Sequence, residues 1–241
     1  MKSISPILNI ILKACEKASK VLIRDFGELE NLQVSKKGPR DFVTNSDRKV
    51  EKVLINELSK KNFSIISEEC GIKYRNDKDN FWIIDPIDGT TNFLHGIPHF
   101  CISVAYLNKN EIVSGVIYDP IKNEIFYAEK NSGAYFNNQR IRVSKKNNLE
   151  ECLFATNLYG TKNTNLNLRI SGCAALDLAY VASGRYDGFF QNDLNIWDIA
   201  AGILIVSEAG GVISPIDVKK MKNHNIRASS EIISNNLSNL I

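Results

Sequence analysis

The chain has no long uninterrupted apolar run, no C-x-x-C pair, no internal repeat and no marked excess of either charge. Asn9, Lys13, Glu16 and Lys17 interrupt the first apolar stretch, so neither a signal peptide nor a membrane span is expected there. The five cysteines, Cys15, Cys70, Cys101, Cys152 and Cys173, are odd in number and scattered. That usage is expected of reduced, mostly packed thiols in a cytoplasmic protein. Thirty basic residues against 27 acidic ones leave a formal charge of +3, too little to imply direct nucleic-acid binding, and Lys145-Lys146 and Lys219-Lys220 read as solvated faces. What remains is 241 residues, 44% hydrophobic, enough for a large core in one or two domains.

Apolar residues recur at helical spacing at Ile7, Ile11, Ala14, Cys15, Ala18 and Leu22, which predicts an amphipathic first helix. Ser46 or Asp47 can cap a second helix that buries Val50, Val53, Leu54 and Leu58, and 71–80 reads as a polar connection. Short β-rich runs at 101–107, 112–118 and 124–128, separated by turn residues, predict an antiparallel meander. A strand over 152–156, a helix from about Cys173, a strand around 186–190 and a helix over 197–208 complete the pattern, with Gly210-Gly211 ending the last helix. Helices alternate with sheet segments in both halves, so the fold class is α and β in layers.

The most informative stretch is Trp82-Ile-Ile-Asp85-Pro-Ile-Asp88-Gly-Thr-Thr-Asn92. Ile83 and Ile84 read as the end of a buried strand, Pro86 interrupts the ladder, and Gly89 lets backbone approach a ligand closely. Thr90, Thr91 and Asn92 can start a helix whose free N–H groups attract an anion. Oxygen-only ligands favour Mg²⁺, Mn²⁺ or Ca²⁺ over zinc. Further carboxylates stand at element ends: Asp41 and Asp47 around a helix start, Glu68-Glu69 after the apolar Ile65-Ile66, and Asp198 after Trp197. Each has a structural reading of its own, Asp47 as a helix cap and Asp198 as a first-turn partner. Together they can converge on one metal cluster.

With Val34-Ser-Lys-Lys-Gly38, Asp41-Phe-Val-Thr44, Ser67-Glu-Glu69, the 82–93 block, the 171–180 run Ser-Gly-Cys-Ala-Ala-Leu-Asp-Leu-Ala-Tyr and Trp197-Asp-Ile-Ala-Ala-Gly202, the chain resembles the inositol monophosphatase family, in particular its bacterial SuhB-like branch. The resemblance implies an αβαβα sandwich, with an N-terminal part over 1–145 carrying most metal ligands and a C-terminal part over 146–241 carrying Asp198 and the alcohol-binding side. It implies hydrolysis of inositol monophosphate or a related polyol or sugar phosphate with two or three Mg²⁺ ions, Mn²⁺ being an alternative. In that family Glu68, Asp85 and the carbonyl of Ile87 hold one metal, Asp85, Asp88 and Asp198 hold a second, and a weaker third sits near Glu68. Asp47 and Thr90 orient and deprotonate the attacking water, Gly89, Thr90 and Thr91 bind phosphate, and Gly172, Cys173, Ala174, Gln191 and Asp198 face the substrate. Direct attack by water, Li⁺ sensitivity, a homodimer and, for the SuhB-like branch, binding to RNA polymerase are implied as well.

Two departures fall on the alcohol side. Gln191 stands where many members carry a glutamate seven residues before the Trp-Asp aspartate, and the segment between Thr156 and Ser171 is short. An Asp-Gly-Thr element also occurs in haloacid-dehalogenase-like phosphatases, but their nucleophile position is Pro86 here, which cannot attack phosphate. His95 and His99 lie outside the family's metal set and are expected to be structural, as are Trp82 and Trp197. Lys36 is either a loop residue approaching the site or a solvated one.

Overall fold

The computed structural model describes residues 4–32, 39–157 and 166–240. The motif at 34–38 with Lys36, and residues 158–165 of the shortened segment, lie outside the described residues. Two long helices come first, α1 (Pro6–Leu32) and α2 (Pro39–Leu58). Ser5 caps α1 by accepting the Leu8 N–H at 3.1 Å, and Ile11, Ala14, Cys15, Ala18 and Leu22 are buried along one face. The second helix begins earlier than expected, with Pro39 pre-organised at its first position. Ser46 and Asp47 therefore sit within the helix rather than capping it, and both point inward.

Strands β1 (Ser64–Ser67), β2 (Gly71–Lys73) and β3 (Asn80–Asp88) follow, then the single-turn α3 (Thr90–Leu94). The stretch expected to be only a polar connection thus holds β2, an exposed strand paired antiparallel to β1. The expected meander runs through β4 (Cys101–Asn108), β5 (Glu111–Asp119) and β6 (Glu124–Glu129), and continues into β7 (Gly133–Phe136) and β8 (Gln139–Arg140). These strands form one sheet ordered β2-β1-β3-β4-β5-β6-β7-β8, parallel only between β1 and β3. The C-terminal part comprises β9 (Leu153–Thr156), β10 (Asn167–Arg169), α4 (Ala174–Ala182), β11 (Gly188–Leu194), α5 (Ile196–Glu208), β12 (Val212–Ile213), β13 (His224–Ser229) and α6 (Glu231–Leu240). Its sheet is ordered β10-β9-β11-β13-β12.

Strand alternation sorts the core into layers. In the large sheet Ile65, Trp82, Ile84, Ile102 and Val104 face α1 and α2, whereas Ile66, Ile83, Cys101 and Ala105 face α4 and α5. The same inner cluster reaches Ala155, Phe189, Ile226 and Ala228 of the second sheet, so α4 and α5 are buried between the two sheets. Phe154 and Phe190 point outward to Ile233 of α6. The result is the expected αβαβα layering, with Asp88 delivered from the end of β3 in the large sheet and Asp198 from the first turn of α5 in the middle layer. Among the described residues no helix is long and apolar enough to cross a membrane.

Candidate active site

The β3–β4 ladder is regular to Asp85, breaks at Pro86 and Ile87, and resumes at Asp88. That irregularity lets two carboxylates only three positions apart approach one cleft. Asp85 is 1% exposed, and its Oδ1 accepts the Ile87 N–H at 3.0 Å, which fixes the turn from inside. Gly89 then adopts φ +91°, and a Cβ there would lie 3.0 Å from His99 O. Only glycine fits both the left-handed backbone and that approach. Thr90 Oγ1 donates to Ile87 O at 2.8 Å, so this carbonyl keeps one lone pair for another partner.

The other carboxylates come from three more elements. Glu68 and Glu69 follow β1, with the Glu68 N–H bonded to Ile84 O at 3.3 Å. Asp47 lies in α2, 4% exposed, with Oδ1 buried and unpartnered. Asp198 lies in the first turn of α5, where its Oδ2 accepts the Asn195 N–H at 2.8 Å. Asp88 Oδ2 accepts the Ala175 N–H at 2.6 Å and the Cys173 S–H at 3.1 Å. One oxygen of Asp88 is thereby held by donors of the chain and its second is left for a ligand, while Asp198 takes hydrogen bonds from both the backbone and the side chain of Asn195.

The charges are poorly compensated. Burial is the largest cause of the raised pKa at every one of these groups, and at all but Asp198 mutual repulsion adds to it. Asp47 rises to about 8, with Glu69 and Glu68 adding to burial. Glu68, partly open to solvent, still loses enough hydration in the cleft, beside Asp198, to reach about 7. Asp88 rises to about 7 through burial and Asp198, against the lowering by the Ala175 N–H and Cys173. Asp198 reaches about 6, and Asp85 is driven well above the carboxylate range by burial, Glu68, Asp88 and Asp198. Glu68 and Asp85 also approach within hydrogen-bonding reach, which two carboxylates do only by sharing a proton or a cation. Among the described residues none of Glu68, Asp85, Asp88 and Asp198 pairs with a Lys or Arg, although neighbouring Glu69 meets Arg48 at 4.0 Å.

Such oxygen donors, poorly hydrated and mutually repelling, fit divalent hard cations. They also fix a pH dependence. Each group is more basic in the folded chain than at its ordinary value of about 4. Their contribution to stability is therefore complete below about pH 4 and is lost as pH rises through the folded values. Without metal, the melting temperature is expected to fall between about pH 5 and pH 8, and millimolar Mg²⁺ to restore it at pH 8. Melting curves in chelator and in Mg²⁺ test this; a chelated protein that gains stability over that range would contradict the assignment.

No hydrogen bond joins Asp47 to Thr90, whose hydroxyl is engaged with Ile87 instead. Thr91 is exposed at the start of α3. Gly172, at φ +78°, packs its Cα against the Asn92 amide, which donates to both Ser171 O and His99 O at 2.8 Å. Asn92 thus ties α3 to the turn bearing Gly172, Cys173 and Ala174. Gln191 lies inside β11, opposite Ile226, rather than ending the strand, and by alternation shares the inward face of Phe189. The ladder becomes irregular beyond it, leading the chain to Asn195 and Asp198. His95 caps α3 through Nδ1 and Thr91 O at 2.8 Å, and His99 packs edge-on against Tyr180. Trp82 is buried beside Phe63 and Tyr106, and Trp197 is buried in the inner cluster.

Several supporting residues were not foreseen. Glu51, one turn after Asp47, accepts from Ser67 Oγ and from the Cys70 N–H at 3.0 Å, so α2 grips the turn that carries Glu68. Its i, i+4 spacing from Asp47 is a signal in the sequence. Asp177, 2% exposed, accepts from Ser171 Oγ at 2.8 Å, and that hydroxyl accepts the Cys173 N–H at 3.2 Å. The Ala175 N–H has no side-chain signature at all.

The sequence model of the inositol monophosphatase family matches residues 3–240. The chain is 42% identical to an inositol-1-monophosphatase of Mesorhizobium japonicum, over 95% of this chain and 93% of that one. It is 39% identical to the Nus factor SuhB of Escherichia coli K12, over 96% and 91% of the two chains. A crystal structure of the extragenic suppressor protein suhB from Bartonella henselae superposes with a TM-score of 0.87 at 42% identity, covering 99% of each chain.

Proposed function

Because the chain belongs to the inositol monophosphatase family, we propose that it hydrolyses the phosphate monoester of inositol or of a related polyol or sugar, using Mg²⁺ or Mn²⁺ held by Glu68, Asp85, Ile87 O, Asp88 and Asp198. The observation that carries this reading is the convergence of four carboxylates from three elements, none of them paired with a Lys or Arg among the described residues. When bound, the ions neutralise the phosphate dianion, lower the pKa of water and stabilise the leaving alkoxide.

The chain's own residues supply the rest. Asp47 accepts the proton of the attacking water, with Oδ1 as the unpartnered acceptor. Thr90 turns its hydroxyl between Ile87 O and that water. The backbone and hydroxyls of Gly89, Thr90 and Thr91 cradle the phosphate. Gly172, Cys173, Ala174 and Gln191 line the alcohol side. Phosphate release from inositol, glycerol, nucleotide and sugar phosphates, with and without Mg²⁺, tests the reading; release from none of them, or release that ignores chelator, would sink it.

Gln191 is the residue on which selectivity turns. A carboxylate there could accept charged hydrogen bonds from two hydroxyls, whereas the amide offers one acceptor and two donors. Gln191→Glu is expected to improve inositol phosphate over small phosphates several-fold in kcat/KM, since a charged hydrogen bond is worth about 1.5–3 kcal/mol before desolvation is subtracted. Its Mg²⁺ requirement stays unchanged. Equal ratios of kcat/KM in both proteins would remove Gln191 from the alcohol site.

A second reading, contact with RNA polymerase as a homodimer in the SuhB manner, is favoured by the relative named Nus factor SuhB. It adds to catalysis rather than replacing it. Polymerase retained in a pull-down by wild type and Asp85→Asn alike is the expected result; retention by neither rules the role out.

A further inference from the structure

Behind Asp88 lies a pair of thiols whose capacity to bind soft metal ions the hydrolytic chemistry does not use. Cys101 stands directly opposite Asp88 in the β3–β4 ladder, and Cys173 is the N-cap of α4. Both are buried, with their Sγ atoms 3.7 Å apart. Cys173 Sγ lies 3.1 Å from Asp88 Oδ2 and 3.4 Å from Asp88 O. One donor atom from each of the three residues falls within 4.8 Å of the others, and among the described residues no other set of three His, Cys, Asp or Glu side chains is so gathered.

The spacing has a specific meaning. Two sulfurs each about 2.3 Å from a tetrahedral zinc stand about 3.8 Å apart, which the thiols already satisfy. A sulfur and a carboxylate oxygen on the same ion stand about 3.5 Å apart, so Cys173 and Asp88 need only a small separation. Sulfur donors reject Mg²⁺ and select thiophilic ions. The half-buried Asp88 opens to the cleft, which gives an ion an entry and leaves a fourth position for water.

We propose that Asp88, Cys101 and Cys173 form a binding site for Zn²⁺ or a similar d¹⁰ cation such as Cd²⁺, and that its occupation inhibits by sharing the charge of Asp88 and so weakening its hold in the hard-cation cluster. As the two metal–sulfur bonds form, the two thiol protons pass to solvent and the ion replaces the Cys173 S–H···Asp88 hydrogen bond. The Ala175 N–H keeps its hold on Asp88 Oδ2 throughout. Binding stands on the geometry alone; inhibition rests on the phosphatase reading.

Cd²⁺ titrated into the reduced full chain in millimolar Mg²⁺ reports binding through thiolate-to-cadmium charge-transfer absorption, and phosphate release in Zn²⁺ reports inhibition. Wild type should show a band that saturates at a single ion. Cys101→Ala, outside the catalytic machinery, should keep Mg²⁺-dependent activity, lose the band and need at least about tenfold more Zn²⁺ for half-inhibition. Cys101→Ser, which keeps nearly the same volume, should behave likewise, and melting curves check that both fold. No band in wild type, or an undiminished band in both variants, overturns the site, because the ion then sits on Cys15, Cys70 or Cys152 or nowhere. If neither protein releases phosphate, the band and its loss still decide the site, and the phosphatase reading fails separately.

Discussion

Asp85→Asn is expected to leave a folded protein whose Mg²⁺-dependent turnover is lower by about 10²–10⁴-fold, the factor that several kcal/mol of lost metal-borne charge stabilisation represents. Asp85 is the deepest carboxylate of the cluster and the one on which Glu68, Asp88 and Asp198 all press. Replacing it removes a ligand proposed to bridge two ions. The same replacement relieves burial of a charge and three repulsions, and an amide oxygen can still accept the Ile87 N–H that Oδ1 accepts now. Stability of the metal-free protein should therefore hold or rise, while the Mg²⁺-induced gain in melting temperature shrinks. Steady-state kinetics across Mg²⁺ concentrations and paired melting curves measure both. Wild-type turnover at saturating Mg²⁺ would remove Asp85 from the metal set.

The opposition between stability and activity at Asp85 also explains what could be read along the chain. Apolar alternation places Trp82, Ile83 and Ile84, so β3 was legible, and Pro86 marked the point where its ladder breaks. Trp197-Asp198 before an apolar run gave the start of α5, and Asp198 both accepts the Asn195 N–H in that first turn and faces the other carboxylates of the cluster. Local signals failed where tertiary contacts decide. Ser46 and Asp47 look like helix caps, yet Pro39 starts α2 earlier and the polar pair turns inward, Ser46 bonding to buried Asp25 at 2.9 Å. Exposed β2 exists because β1 offers an edge, a fact no single segment carries. Gln191 was read near a strand end, and pairing with β13 extends the strand past it. The N–H of Ala175 and the closeness of Cys101 to Cys173 arise from packing between elements far apart in sequence.

Substituting Asp47, the proposed general base, separates proton chemistry from metal binding. Among the described carboxylates around the cleft it alone keeps a buried oxygen without a partner, and Glu51, one turn along the same helix, holds the Glu68 turn against it. Glu69, Glu68 and Glu51 add to burial in raising it to about 8. Cations held at the cluster would oppose that repulsion and bring the value toward neutrality, where a general base works best. Asp47→Asn keeps the shape and abolishes the basic oxygen, so kcat should fall by about 10²–10⁴-fold with KM and Mg²⁺ affinity nearly unchanged. The rise of kcat with pH on the acidic side, which reports deprotonation of this base, should disappear in the variant. Loss of one buried charge near three others should also raise the melting temperature of the metal-free protein above neutral pH. The decisive comparison is kcat, KM and Mg²⁺ requirement for both proteins from pH 5 to 9. A change confined to KM would make Asp47 a substrate ligand, a shifted Mg²⁺ requirement would make it a metal ligand, and an unchanged acidic limb would assign the proton to another group.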